Sequence, residues 1–340
     1  MPYARNIAFM IDHTQVGGGD LTNFPIVVRG TYPELKSAAN GGRIRNLLSG
    51  AVPCDFVVSP NADGSSKYDF EIAEYDPATG AIEVWFRRPS LSASVDGTFY
   101  FAYDDTTVTT YQGTAHGAHT EWDANYRGVY HLANGFASDS TTVHSEADVI
   151  GPTQTTGVVG TALAFAGGTD VVDVPVFPDY ARPMTFEFWL KLPSGGSVAN
   201  VTILQASTYT GNFLLYTRLD YEGRGFGTIA LFTSGGEYGI PYPTDGAWHH
   251  YVMAVDSSGV LIATIDAVQQ TAVAITAGAL DPHTSTSLMF GNGVGALTGL
   301  LDEVRFSNVA RIASGSVGRA VATYNNQKSG STFLTAGAPL

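Results

Sequence analysis

Short runs in which apolar and polar side chains alternate recur along almost the whole chain. Residues 7–11 (IAFMI), 24–28 (FPIVV), 69–75 (DFEIAEY), 81–88 (AIEVWFRR) and 98–103 (TFYFAY) are β-branched or aromatic and are set apart by Gly, Pro, Asn and Asp clusters, which predicts strands. Within 81–88, Ile82, Val84 and Phe86 fall on one face and Glu83, Trp85 and Arg87 on the other, so one face packs inward. Asp76-Pro-Ala-Thr-Gly80 reads as a turn that closes 69–75 and 81–88 into a hairpin, because Pro presets one dihedral and Gly supplies a positive φ. From residue 161 onward come TALAFA, MTFEFWLKL, VTILQAS, NFLLYTRLD, GTIALFTSG, WHHYVMAVD, VLIATIDAVQ, SLMFGNG and TGLLDEVRFSN, again strand-length and turn-separated. Such spacing predicts an all-β protein made of sandwiches or a jelly roll, with VGRAVATYNNQ at 317–327 as a short helix.

The length of 340 residues calls for two β-sandwich domains, and the small, polar loop YQGTAHGAHT marks the boundary. The expected division is 1–112 as an attachment module, 113–125 as linker, 126–327 as the second domain and 328–340 as a C-terminal tail. Charge then narrows the partners. With 31 acidic against 17 basic residues the net charge is −14, which repels phosphate backbones and excludes nucleic acid as a partner. One cysteine, Cys54, precludes an intramolecular disulfide or a cysteine-ligated zinc site and reads as a buried thiol. No basic start followed by a long apolar run is visible, and no stretch reaches 18 apolar residues, so neither a secretion signal nor membrane insertion is expected.

Two family resemblances follow from the residues. TNFPIVVRG, YDFEIAEYDPATGAIEVWFRRPSLSAS and GTFYFAYDD resemble an uncharacterised β-sandwich module of bacterial and phage surface proteins, over about the first 110 residues. The family's aspartate-led strand before the hairpin is here Arg43-Ile44-Arg45-Asn46, followed by an insert with Cys54. The order YHL, DS, G-x-ALAF, TFEFWLKL, WHHYVMAVD, IDA, FGNG and GLLDEVRFSNVAR resembles the laminin-G-like, concanavalin A-like jelly-roll family over about 126–327. Where that family often carries an Asp-Gly turn this chain has Asp266-Ala267, which predicts a hairpin that bends differently.

Candidate chemistry is sparse. Glycoside hydrolysis needs two carboxylates across a sugar bond, and the E-x-D-x-E run that supplies them in hydrolytic jelly rolls is missing; Glu71, Glu74 and Asp76 read as a solvated strand end and turn. Nucleophile-elbow, P-loop, H-E-x-x-H and dinucleotide-binding patterns are also missing. His116 and His119 form an H-x-x-H with too few ligands for a metal on its own. His249 and His250, after Trp248, point to opposite faces of a strand and cannot act on one proton. Asp302 shares a phase with Leu300, Val304 and Phe306, which predicts an inward carboxylate that must be hydrogen-bonded, paired with arginine or bound to a cation. Resemblance to jelly rolls that hold calcium implies a site using Asp139 and Asp302, with Asp170 and Asp173 as alternative donors beside a Gly-rich turn. Tyr209, Tyr216, Tyr221, Tyr238 and Tyr242 are expected near one rim, where aromatic faces stack on sugar rings.

Together these readings predict a non-enzymatic, exposed structural or adhesive protein. The expected setting is the surface of a phage virion, with capsid or tail proteins and cell-surface glycans as partners and a homo-oligomeric assembly. The alternative is an extracellular, bacterial cell-surface role as a carbohydrate-binding accessory module.

Overall fold

The computed structural model describes residues 3–114, 120–133, 138–143, 146–175, 182–195, 201–206, 214–218, 228–233, 236–275, 287–292 and 295–340. The chain forms two compact units, one from Met1–Ala124 with Val321–Leu340 and the other from Asn125–Ala320.

In the first unit, a four-stranded antiparallel sheet runs in the order Leu334–Pro339, Arg5–Ile11, Gly97–Tyr103, Phe56–Ser59, and a three-stranded one in the order Leu21–Thr31, Ala81–Leu91, Phe70–Asp76. Alternation decides which side chains face inward. Ile7, Phe9 and Ile11 from the first sheet meet Ile26, Val28, Ile82, Val84 and Phe86 from the second in one core, with Phe9, Phe99 and Phe101 ring to ring. The expected hairpin forms: Asp76 accepts from Ala78 N and Thr79 Oγ1, and Gly80 has φ +76°. Cys54 is buried.

Residues 328–340 correct the expectation of a tail. Leu334–Pro339 pairs with Arg5–Ile11 along the sheet edge, and Phe333 and Ala322 lie in the first unit's core. The helix Gly318–Gln327 therefore carries the chain back, and its Asn326 side chain bonds both Val27 N and Val27 O. A strand at the end of a sequence pairs wherever an open edge presents unsatisfied N–H and C=O groups, and linear order does not reveal which edge that is.

The second unit is a two-sheet antiparallel sandwich. Among the described residues, one sheet runs Asp148–Ile150, Val171–Val174, Leu288–Phe290, Thr202–Ala206, Leu214–Arg218, Thr228–Thr233, Gly236–Pro241. The other runs Thr153–Thr156, Thr161–Ala166, Thr298–Ser307, Met184–Lys191, His249–Val255, Val260–Ile265, Val268–Gln269, with Tyr126–Tyr130 also paired to Thr298–Ser307. Phe186, Phe188 and Leu190 of the second sheet interdigitate with Phe290, Leu231 and Ile240 of the first, as the alternating pattern requires. The far side of the second sheet carries a smaller apolar cluster of Val252, Ala254, Ile262, Ile312 and Ala320.

Candidate functional site

The central strand Met184–Lys191 sends Phe186, Phe188 and Leu190 into the core, so Glu187 and Trp189 stand on the sheet's other face. On one side Trp189 is opposite His250; on the other Glu187 is opposite Arg305 and Trp189 opposite Asp302. One residue lies between Glu187 and Trp189, but two lie between Asp302 and Arg305, and the extra residue is a β-bulge at Glu303 with φ +52°. The bulge reverses the phase of the strand: Leu301 faces the core before it, Val304 and Phe306 after it. Asp302 is therefore on the face away from the core, and the expectation that it shares the inward side with Leu300, Val304 and Phe306 is corrected. Strict period-two counting cannot register an inserted residue.

The same bulge brings charges together on that face. Arg305 donates from Nη1 to Glu187 Oε1 at 3.1 Å and from Nη2 to Glu303 Oε2 at 2.8 Å. Glu303 also meets His131 Nδ1, at 2.8 and 3.1 Å from its two oxygens, and Glu187 Oε1 lies 3.4 Å from His250 Nε2. The His250 ring packs 4.9 Å from the Trp189 indole. Glu303 and Arg305 are each 1% exposed. Burial alone would push Glu187 up, but the Arg305 guanidinium outweighs it, followed by the His250 hydrogen bond, and its pKa is held down at about 2. Glu303 is likewise lowered, burial being outweighed by His131 and Arg305. Two carboxylates kept ionised by a guanidinium between them cannot donate a proton near neutral pH, so this pair does not fit the acid role that glycoside hydrolysis needs. The cluster was not foreseen from the sequence. Its one linear signal was Glu303-Val-Arg305, whose alternation puts the two charges on the same side.

Asp139, Asp170 and Asp302 each accept from backbone N–H groups. Asp302 Oδ2 accepts from Val158 N at 2.7 Å and Val159 N at 3.0 Å, and a Cβ on Gly157 would come within 2.5 Å of the same oxygen. Asp139 accepts from Val129 N, Thr141 N and Thr141 Oγ1. Asp170 accepts from Ala166 N at 2.7 Å, and Asp173 lies on the strand Val171–Val174 opposite Asp148. Among the described residues the three aspartates Asp139, Asp170 and Asp302 do not gather into one three-ligand cluster. Such a cluster exists in the first unit, where Asp12, His13 and Asp96 could hold a cation; His13 Nδ1 is already 2.6 Å from Asp96.

For Tyr238 and Tyr242 the expected rim is corrected. Tyr238, on the strand Gly236–Pro241, and Tyr242 just beyond it share an inward phase with Ile240 and are core residues, 8% and 5% exposed. An apolar ring at alternate positions of a sandwich strand gains more from burial than from standing in water. Tyr216 is on the strand Leu214–Arg218, while Tyr209 and Tyr221, like His116 and His119, lie outside the described residues.

His249 and His250 do diverge. His249 bridges Asp266 at 2.6 Å and Asp245 at 3.0 Å, whereas His250 turns toward Glu187. The Asp266-Ala267 hairpin is a further correction: Ile265 pairs directly with Val268, and both turn residues have positive φ, 50° and 69°. That is the signature of the turn an Asp-Gly pair would form, imposed here on alanine by strand twist and by the Asp266 carboxylate, which accepts from His250 N. In the first unit Glu71 accepts from Trp122 Nε1 at 2.7 Å and Glu83 from Trp85 Nε1 at 3.0 Å. Glu71 is thus engaged by an indole instead of being solvated at a strand end.

Comparison with known proteins bears on the second unit. Residues 166–314 match the family model of the concanavalin A-like lectin/glucanases superfamily. Solved structures similar to the chain include domain 4 of AbnA, a GH43 extracellular arabinanase from Geobacillus stearothermophilus, in complex with arabinotriose, with 17% identity, 59% of this chain and 98% of that one covered, and a TM-score of 0.47. The receptor binding domain of botulinum neurotoxin D has 13% identity, 60% and 53% coverage and a TM-score of 0.46. The binding domain of botulinum neurotoxin serotype G has 12% identity, 59% and 51% coverage and a TM-score of 0.49. The chain thus spans about half the length of these toxin chains. No curated protein matches the sequence.

Proposed function

We propose, from a second unit that is a concanavalin A-like jelly roll, that this chain is a non-enzymatic binding protein displayed on a phage particle, contacting carbohydrate through that unit. The observation that carries the reading is the family match over residues 166–314 on a sandwich whose prominent acid pair is locked onto Arg305. Scaffolds of this kind host both binding and hydrolysis, so the site decides, and ionised, buried Glu187 and Glu303 speak for binding. No helix among the described residues is long and apolar enough to cross a membrane, and the chain's acidity disfavours anionic surfaces. The phage setting is supported by the resemblance of the first 110 residues to modules of bacterial and phage surface proteins.

A glycan array probed with the full chain, run beside incubation with a polysaccharide panel, tests the binding reading. Saturable binding without release of shorter sugars is expected; turnover of any polysaccharide overturns it. Mass spectrometry of purified particles tests the setting, which fails if the chain occurs only in the host envelope or medium.

A further inference from the structure

The first unit contains a recess of about 200 Å³ between the edge strand Leu334–Pro339 and the strand Leu21–Thr31 of the other sheet. Its lining combines apolar side chains such as Phe9 and Leu334 with the polar Arg29, Tyr32, Lys328 and Ser331. In a chain with 31 acidic and 17 basic residues, the charged lining residues here are both cationic, and among the described residues none of the lining is acidic. Both cations are held in place. Arg29 donates to the Gln327 carbonyl at the end of the helix Gly318–Gln327, and Lys328 Nζ lies 4.8 Å from the centre of the Tyr324 ring. The Asn326 side chain fixes the helix end to the strand that carries Arg29, accepting from Val27 N and donating to Val27 O. Burial pushes the Tyr32 hydroxyl up to about 12, which keeps it a hydrogen-bond donor.

A guanidinium fork matches the planar geometry of a carboxylate, and the volume is below the roughly 300–1,000 Å³ of drug-sized sites. We propose that this recess binds a compact carboxylate, one sugar ring or smaller, with its head group between Arg29 and Lys328. The competing account is that the two cations only neutralise the carbonyl end of the helix. That account requires no ligand.

Titration calorimetry on the full chain with D-glucuronate, D-glucose and lactate, in wild type and Lys328→Met, separates the two. Lys328 is chosen because Arg29 also anchors the helix end. Saturable glucuronate binding is expected, weakened about tenfold or more both by Lys328→Met and by replacing glucuronate with glucose. Lactate binding as tightly as glucuronate assigns the recess to small organic acids, and weaker lactate binding to acidic sugars. The proposal is overturned if neither acid saturates, if glucose equals glucuronate, or if Lys328→Met leaves the affinity unchanged. The recess belongs to the first unit, so this outcome is independent of the glycan reading of the second. Array binding that survives Lys328→Met distinguishes them.

Discussion

Ala267 holds a left-handed backbone, φ 69°, that glycine adopts without a Cβ penalty. Ala267→Gly is expected to stabilise the second unit by about 0.5–1 kcal/mol, with part of the gain lost to the freer unfolded chain, and denaturant unfolding measures it. Asp302 illustrates the opposite case. Its carboxylate closes the 157–159 loop onto the sheet, so Asp302→Ala leaves two N–H groups without their acceptor and is expected to cost about 2–4 kcal/mol in the same measurement. Because Asp302 Oδ2 is already engaged by two N–H donors, a chelator is expected to leave the melting temperature unchanged; a fall on chelation and recovery with calcium would show that a cation shares the site. That Asp302 needed partners was legible in its placement among apolar residues. Which partners it has was not, since Val158 and Val159 lie over 140 positions away.

At the scale of elements, the strands Met184–Lys191, Thr298–Ser307 and His249–Val255 act as one device whose outer face is ionic. Removing Arg305 leaves Glu187 and Glu303 facing each other without their cation, and Arg305→Met is expected to destabilise by about 3–5 kcal/mol. The acid dependence has a definite sign. Glu187 has a folded pKa of about 2, below its ordinary 4.5, so its contribution is complete above about pH 4.5 and disappears as the pH falls toward 2. Glu187→Gln removes this contribution, so the stability gap between wild type and variant should close on acidification across that window. His249 runs the other way. The Asp266 hydrogen bond raises its pKa against partial burial, with Asp245 adding to the rise. Its contribution is complete below about pH 6.5 and is lost as the pH climbs through the raised value, so His249→Gln should flatten the alkaline limb of the stability profile. Every strand involved could be read from alternation. The bulge at Glu303, which assembles the network, could not, because a single inserted residue leaves the apolar count on either side intact.

At the scale of the whole molecule, the chain leaves its first unit near Ala124 and returns at Val321 to complete it. Phe333 is 0% exposed in that unit's core, and Phe333→Ala is expected to cost about 3–5 kcal/mol, read as a shift of the first unit's calorimetric transition with the second's unmoved. Truncation before Leu334 should expose the edge of Arg5–Ile11 and lower solubility, since an unpaired edge strand is a template for association. By itself the sequence determined the all-β class, the hairpin at 76–80 and the faces of most strands, because alternation and turn chemistry are local and the chain carries them openly. Tertiary structure alone decided the place of residues 328–340, the core packing of Tyr238 and Tyr242, the side on which Asp302 falls and the union of Glu187, Glu303 and Arg305. Each depends on which edge, sheet or strand a residue meets after the chain has crossed tens to hundreds of positions, and pairing at that distance is set by the global closure of the sandwich, where a local period carries no information.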